Sequence, residues 1–296
     1  MSTWNVGHMR SESPSNVILI VGAEGMIGRA LAQRLLGCGW PVVRTMLAPE
    51  PGAVGLDLSL DVAAWRPPPE VGVGYLCAAV TSVAECRRDP KRAFAVNVTG
   101  TVAVARTLAR QGAAIVFPST NLVFDGSAPF ERAETPVAPA TEYGRQKAEA
   151  EKQLLALSGR VCIVRLSKVL GPRTPLLVRW ADDLRHGRAI RPFADMVVAP
   201  VPLDFAVDVL LRAGRERLCG IVQVSGPQEV SYEAVARHVA RRIGASETLI
   251  EPIEAAAAGP EFEPIPAHAT LDMSRLQNEL AMTPPDVWTT IDGAFA

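Results

Sequence analysis

The sequence predicts an α/β protein in which a doubly wound parallel sheet carries a smaller C-terminal lobe. Three observations lead there. Short runs of β-branched and aliphatic residues alternate with segments of helical spacing between residues 17 and 166. The first run turns into the first helix through closely spaced glycines, and beyond Gly171-Pro172 prolines crowd residues 172–202 and break the alternation. Parallel strands are buried on both faces and so read as continuous apolar runs. The helices that connect them cover the sheet, which leaves the carboxyl ends of the strands open to ligands.

Taken in order, Val17-Ile18-Leu19-Ile20-Val21 is the first strand, and Gly22-Ala23-Glu24-Gly25 interrupts it. From Met26 the spacing is helical, with Ile27, Ala30, Leu31, Leu35 and Leu36 on one side, until Gly37-Cys38-Gly39 stops the helix. Pro41 to Val43 reads as a short strand, Tyr75 to Ala79 as another, and Ala93 to Arg110 as one long helix that turns Phe94, Val98, Val102, Ala105 and Leu108 inward. Ala114 to Phe117 is a strand, Glu142 to Leu157 an Ala/Glu/Lys-rich helix, and Val161 to Leu166 a further strand.

The first domain is expected over 17–170, with 203–225 returning to it through a helix from Leu203 to Ala213 and a last strand from Ile221 to Ser225. Residues 171–202 and 226–296 form the second lobe, including a helix to Ile243 capped by Ser231 and a loop or helix edge at Ala255 to Ala258. The polar stretch 1–16 reads as a flexible leader, in which Gly7-His8-Met9 resembles a vector junction.

A chain of 296 residues should bury roughly three quarters of its extended surface, enough for a sizeable core. With 48% apolar residues and a net charge of −1, neither wholesale disorder nor a nucleic-acid partner is expected. No apolar run approaches membrane-spanning length, so no membrane partner is expected either. The five cysteines are scattered without a Cys-x-x-Cys, which argues against a disulfide framework or zinc site and for a reducing, cytoplasmic compartment. His8, His186, His238 and His268 lie far apart, and Asp182-Asp183 falls on a helix surface, so no metal site is expected.

Gly22-x-x-Gly25-x-x-Gly28 stands where a strand becomes a helix. Glycines there let backbone N–H groups and the positive helix end approach a pyrophosphate. A tight turn with close helix-to-strand packing would use the same residues. Tyr143 and Lys147 are four apart, hence on one helical face, where an ammonium favours the phenolate and brings the phenol toward proton transfer. A plain surface helix is the other reading. Ser119-Thr120 follows a strand and puts a hydroxyl at the ligand edge of the sheet, or caps a turn. A hydroxyl, a phenol and an ammonium beside a dinucleotide site make a Rossmann-type carbonyl/alcohol redox centre.

On these residues the sequence resembles the extended short-chain dehydrogenase/reductases, and among them the dTDP-4-dehydrorhamnose reductase branch of the NAD-dependent epimerase/dehydratase superfamily. The resemblance extends through Ala78-Ala79-Val80-Thr81-Ser82-Val83, the stretch around Asn97, Ser119 to Gly126, Glu131-x-x-Glu134-Thr135-Pro136 and Leu271 to Leu276. It implies that Thr120 hydrogen-bonds a substrate carbonyl, that Tyr143 donates the proton, and that Lys147 tunes Tyr143 and holds the nicotinamide ribose. Further implied cofactor contacts are Gly22, Gly25, Met26, Ile27, Gly28, Asp57 and Leu58 toward adenine, Ala78, Ala79 and Asn97. For Asn97, ordinary helix-to-loop hydrogen bonding is an equal alternative. Thr81, Val83, Thr120 and Asn121 would line the sugar pocket.

Lys168 departs from the family pattern; it would bind a diphosphate or a sugar carboxylate, or be solvated. His268 is expected to be an idle surface residue. The implied activity is NAD(P)H-dependent reduction of a nucleotide-activated 4-keto-6-deoxy sugar, with that nucleotide sugar as partner and a homodimer admitted. Two alternatives stay open: an epimerase or dehydratase that keeps NAD bound, and a non-catalytic dinucleotide-binding regulatory subunit like that of methionine adenosyltransferase. Against a dehydratase, Asn121 rather than an acidic pair follows Thr120.

Cofactor choice is read at the second strand, which ends in Met46 where NAD-binding sites carry an acid for the ribose 2′-hydroxyl. Arg44 and Arg29 are the nearest partners for a 2′-phosphate. NADP(H) is therefore favoured and NAD(H) admitted, the alternative being that both arginines face solvent.

Overall fold

A computed structural model describes residues 17–62, 64–258 and 266–295. The expected leader 1–16 lies outside the described residues. The strands run β1 Val17–Val21, β2 Val42–Met46, β3 Ala53–Gly55, β4 Val71–Leu76, β5 Ala114–Thr120, β6 Val161–Leu166, β7 Val169–Leu170, β8 Val197–Val198, β9 Val201–Pro202, β10 Gly220–Val224 and β11 Val230–Ser231. The helices are α1 Met26–Gly37, α2 Val83–Arg88, α3 Pro90–Phe94, α4 Thr101–Arg110, α5 Glu142–Leu155, α6 Pro175–Arg185, α7 Leu203–Arg215, α8 Tyr232–Ile243, α9 Ser274–Leu280 and α10 Val287–Phe295.

Seven strands form one sheet in the order β10-β6-β5-β4-β1-β2-β3, parallel throughout. The chain builds outward from β1 to β3, then crosses to the other side of β1 and builds outward again from β4. The order reverses at β1/β4, and the crevice outside the carboxyl ends of those strands is where a doubly wound sheet binds its ligand. β1 shows why its run is uniformly apolar. Ile18 and Ile20 enter one core with Leu31, Leu35, Leu210 and Leu276, while Leu19 and Val21 enter the opposite core with Val102, Leu108 and Leu154. Successive strand side chains point to opposite faces, and here both faces are covered.

A third core, including Leu177, Trp180, Leu184, Val235, Val239 and Ile291, is built from α6, α8 and α10. Between these elements α7 returns to pack on α1 and the main sheet, and β10 pairs with β6 from Gly220↔Cys162 to Val224↔Leu166.

Four elements depart from the sequence reading. The strand expected at Tyr75–Ala79 is Val71–Leu76; its first four residues include two glycines, which have low strand propensity, and Cys77 onward leaves the ladder after Cys77 N donates to Val21 O (2.8 Å). The long helix expected over Ala93–Arg110 is α3, a π-helical turn at Ala95–Gly100, and α4. β5 passes through Pro118 to Thr120 although proline cannot donate to a ladder. β2 begins at Val42 and pairs with a three-residue β3 that the sequence reading did not include, too short to show a period.

Candidate active site

Gly22 turns the chain out of β1 with a positive φ of 82°, and a Cβ on it would lie 2.5 Å from Ala78 Cα. A Cβ on Gly28 would lie 2.2 Å from Gly22 O, so these two glycines serve close packing. Gly25 is the N-cap of α1, where no side chain caps the helix and the first turn has no acidic residue. The N–H groups of such a turn have no intrahelical acceptors and present a positive end to an anion. Half-exposed Met26, which lies over Gly171, and half-buried Ile27 and Ala78-Ala79 border this turn. The chain thus fits the pyrophosphate of a dinucleotide at α1.

Thr120 ends β5 next to β6, 7% exposed; its Oγ1 accepts from Leu122 N (3.2 Å) and lies 3.5 Å from Asn121 Oδ1. Tyr143 and Lys147 come to this strand end because α5 starts against the turn at Asn121–Val123. Thr141 caps α5 by accepting from Gly144 N (3.0 Å), and Gly144 lies so close to Leu122 O that a Cβ would stand 2.1 Å from it. Lys147 Nζ then donates to Pro118 O (2.7 Å) and sits 3.6 Å over the Phe117 ring. Pro118 withholds a ladder donor, and its carbonyl supplies the contact that seats the ammonium.

Burial lowers Lys147 to about 7, and the Glu151 carboxylate one turn later opposes that fall. Burial pushes the Tyr143 phenol above its ordinary value, with the Cys86 thiol adding to the rise. The upward direction is opposite to the lowering that the sequence led us to expect from Lys147. Burial also pushes the nearby Cys77 thiol up to about 12.

Asn97 takes the helix-to-loop role. It is 1% exposed; its Oδ1 accepts from Val80 N (2.8 Å), and its Nδ2 donates to Val80 O (3.0 Å) and Gln146 Oε1 (2.8 Å). The π-helical turn aims Asn97 inward, so that it ties the 78–81 loop to α5. Asp57 accepts from Ser59 N (2.8 Å) and Ser59 Oγ (2.6 Å), which hold its carboxyl below the usual range, and Leu58 is buried beside Gly100. Thr81 is exposed, Val83 opens α2 half-buried, Asn121 is half-buried and Lys168 is exposed. Of the two arginines proposed for a 2′-phosphate, half-buried Arg44 pairs with Glu50 (2.6 Å), while exposed Arg29 donates to Glu24 O (3.0 Å).

His268 is not idle. Its Nδ1 meets Glu229 Oε2 at 3.0 Å, while Glu229 Oε1 accepts from Ala269 N, Thr270 N and Thr270 Oγ1. The sequence reading also missed the buried network beneath the site, in which Glu151 accepts from Ser119 Oγ and Arg165. The spacing of Glu151 four residues after Lys147 was its available signal. No described helix is long and apolar enough to cross a membrane.

The sequence model of the family described as the RmlD substrate binding domain matches residues 16–294. A dTDP-4-dehydrorhamnose reductase of Aggregatibacter actinomycetemcomitans is 29% identical over 287 residues, covering 91% of this chain and 95% of the relative. The solved dTDP-4-dehydrorhamnose reductase of Bacillus anthracis in complex with NADP superposes with a TM-score of 0.81 at 20% identity, over 95% of this chain and 99% of that one. MoeE5 in complex with UDP-glucose and NAD gives 0.79 at 20% identity, over 94% and 97%.

Proposed function

We propose, for a chain that belongs to the RmlD substrate binding domain family, an NAD(P)H-dependent reduction of a nucleotide-activated 4-keto-6-deoxy sugar of the dTDP-4-dehydrorhamnose class. The observation that carries this reading is the seating of Lys147 on Pro118 O, two residues before Thr120 and on the helix that bears Tyr143. A hydroxyl at the end of β5, with a phenol and an ammonium on the helix packed against it, suits carbonyl reduction, and the relatives' names supply the sugar class.

The first turn of α1 would hold the pyrophosphate, and Lys147 the nicotinamide ribose. The bound dinucleotide supplies the hydride that the carbonyl carbon accepts. Thr120 Oγ donates a hydrogen bond that orients the carbonyl oxygen, and Tyr143 gives that oxygen its proton, so that the ketone becomes a secondary alcohol. Relatives with NADP and with NAD bound support either dinucleotide.

Thr81, Val83, Asn121 and Lys168 belong to the proposed sugar side, and the 171–202 and 226–296 segments to the substrate lobe. A cytoplasmic setting, in keeping with cysteines that are all free among the described residues, and a homodimer complete the proposal. The test is oxidation of NADPH or NADH by the purified protein with dTDP-4-dehydrorhamnose; no turnover with this or any other nucleotide-linked 4-keto sugar refutes it. Stoichiometric NAD retained through purification would instead favour an epimerase.

A further inference from the structure

In a doubly wound sheet the adenosine ribose of a dinucleotide lies at the end of the second strand, where an acidic side chain accepts from its 2′-hydroxyl. β2 ends in Met46 and offers no acid. A carboxylate nevertheless stands there, delivered from the glycine turn. Glu24 Oε1 accepts from Leu47 N (3.0 Å), one residue past the strand, and the turn itself is held to β2 by Gly22 N and Ala23 N, which donate to Thr45 O at 3.1 and 2.9 Å. The second oxygen, Glu24 Oε2, is buried and has no hydrogen-bond partner. Buried polar atoms are almost always satisfied, so an unmet acceptor beside the carboxyl end of β2 points to a donor carried by a ligand.

The cations nearby are otherwise engaged. Arg44 leaves the same strand but donates to Glu50 Oε1 (2.6 Å) and Pro51 O (3.5 Å). Arg29 donates to the backbone oxygen of Glu24 and leaves the carboxylate unneutralised.

We propose that Glu24 is the acceptor for the adenosine 2′-hydroxyl and is what admits NAD(H) to this site. The inference rests on the dinucleotide-binding reading above. A 2′-phosphate in the same place meets a like charge, so NADP(H) is held only by drawing Arg44 away from Glu50. Two opposed side chains, Glu24 for the hydroxyl and Arg44 for the phosphate, thereby set the balance between the two dinucleotides.

Calorimetric titration with NADH and with NADPH separately tests this on the wild type, Glu24→Gln and Arg44→Ala. Glutamine keeps an oxygen for Leu47 N–H and removes the charge. It should weaken NADH by about tenfold, the loss of one charge-assisted hydrogen bond, and leave NADPH unchanged or tighter. Arg44→Ala should weaken NADPH alone, and adding Met46→Asp to Glu24→Gln should restore NADH. On the wild type, ADP-ribose should bind about tenfold tighter than its 2′-deoxy analogue, a comparison that needs no variant to fold. If the protein binds dinucleotides but Glu24→Gln affects both equally, or neither, the role of Glu24 is overturned while the reductase reading stands. Wild-type protein that binds neither dinucleotide overturns both.

Discussion

Glu151 and Arg165 form a buried ion pair beside the Ser119–Thr120 end of β5, each side chain 3% exposed. Arg165 Nε and Nη2 both donate to the carboxylate, at 3.1 and 2.8 Å to Oε2, and Ser119 Oγ donates to Oε1. The pair also reaches outward. Arg165 Nη1 donates to Ala133 O (3.2 Å) and Gln223 Oε1 (3.3 Å), and Gln223 Nε2 donates to Glu131 O (2.7 Å) and Asp272 O (3.2 Å). One charge pair therefore ties together the helix of Tyr143 and Lys147, the strand of Thr120, and the 131–133 segment.

Removing one member leaves the other charge buried and alone. Glu151→Gln or Arg165→Met should each cost about 3–5 kcal/mol in urea unfolding. The double variant Glu151→Leu/Arg165→Met should recover much of that loss, because an apolar pair of similar volume needs no desolvation. Additive losses in the double variant would show that the pair is not a coupled unit.

Lys147 sets a pH dependence. Its ammonium titrates near 7 in the folded protein against an ordinary 10.5, because burial disfavours the charge. The native state then binds fewer protons than the unfolded chain between these values. The penalty on folding is fully present below about 7 and is relieved as pH rises from there toward 10.5. The ammonium is charged only on the acid side, so dinucleotide affinity should fall as pH rises through about 7. Glu151 opposes the lowering, so Glu151→Gln should move that midpoint to lower pH in the same titration. A midpoint that does not move in Glu151→Gln would dissociate it from Lys147.

Tyr143→Phe keeps the ring and removes the transferable proton. Turnover should fall roughly 10²- to 10⁴-fold with dinucleotide affinity little changed, since the ring's packing in α5 persists. Steady-state rates and direct titration on the same preparation separate the two effects. Near-wild-type turnover would remove Tyr143 from the proton-donor role.

Gly28→Ala drives a Cβ to 2.2 Å from Gly22 O, a backbone atom that cannot move without opening the turn. Dinucleotide binding and thermal stability should both drop. Gly37→Ala, with nothing within 4 Å of its added methyl at the end of the same helix, should be neutral or slightly stabilising. Differential scanning calorimetry on the two variants makes the comparison, and equal behaviour would refute the close-packing role of Gly28.

Much of this protein was legible along the chain because the signals were local. The apolar run at 17–21, the glycine spacing at 22, 25 and 28, and the four-residue separation of Tyr143 and Lys147 each follow from periodicity alone, and together they predict a parallel sheet with its site at the strand ends. The register of β5, where Pro118 reads as a strand terminator, and the π-helical turn that aims Asn97 at Val80 and Gln146 were not legible. Both are decided by partners distant in sequence, which repay local costs that propensity counts as prohibitive. Electrostatics went the same way. The sequence placed an ammonium beside a phenol, but only burial, the Pro118 carbonyl and the Glu151–Arg165 pair decide how that ammonium titrates. Sequence spacing sets which groups share an element face, whereas desolvation and hydrogen-bond partners belong to the packed interior and exist only once the elements have met.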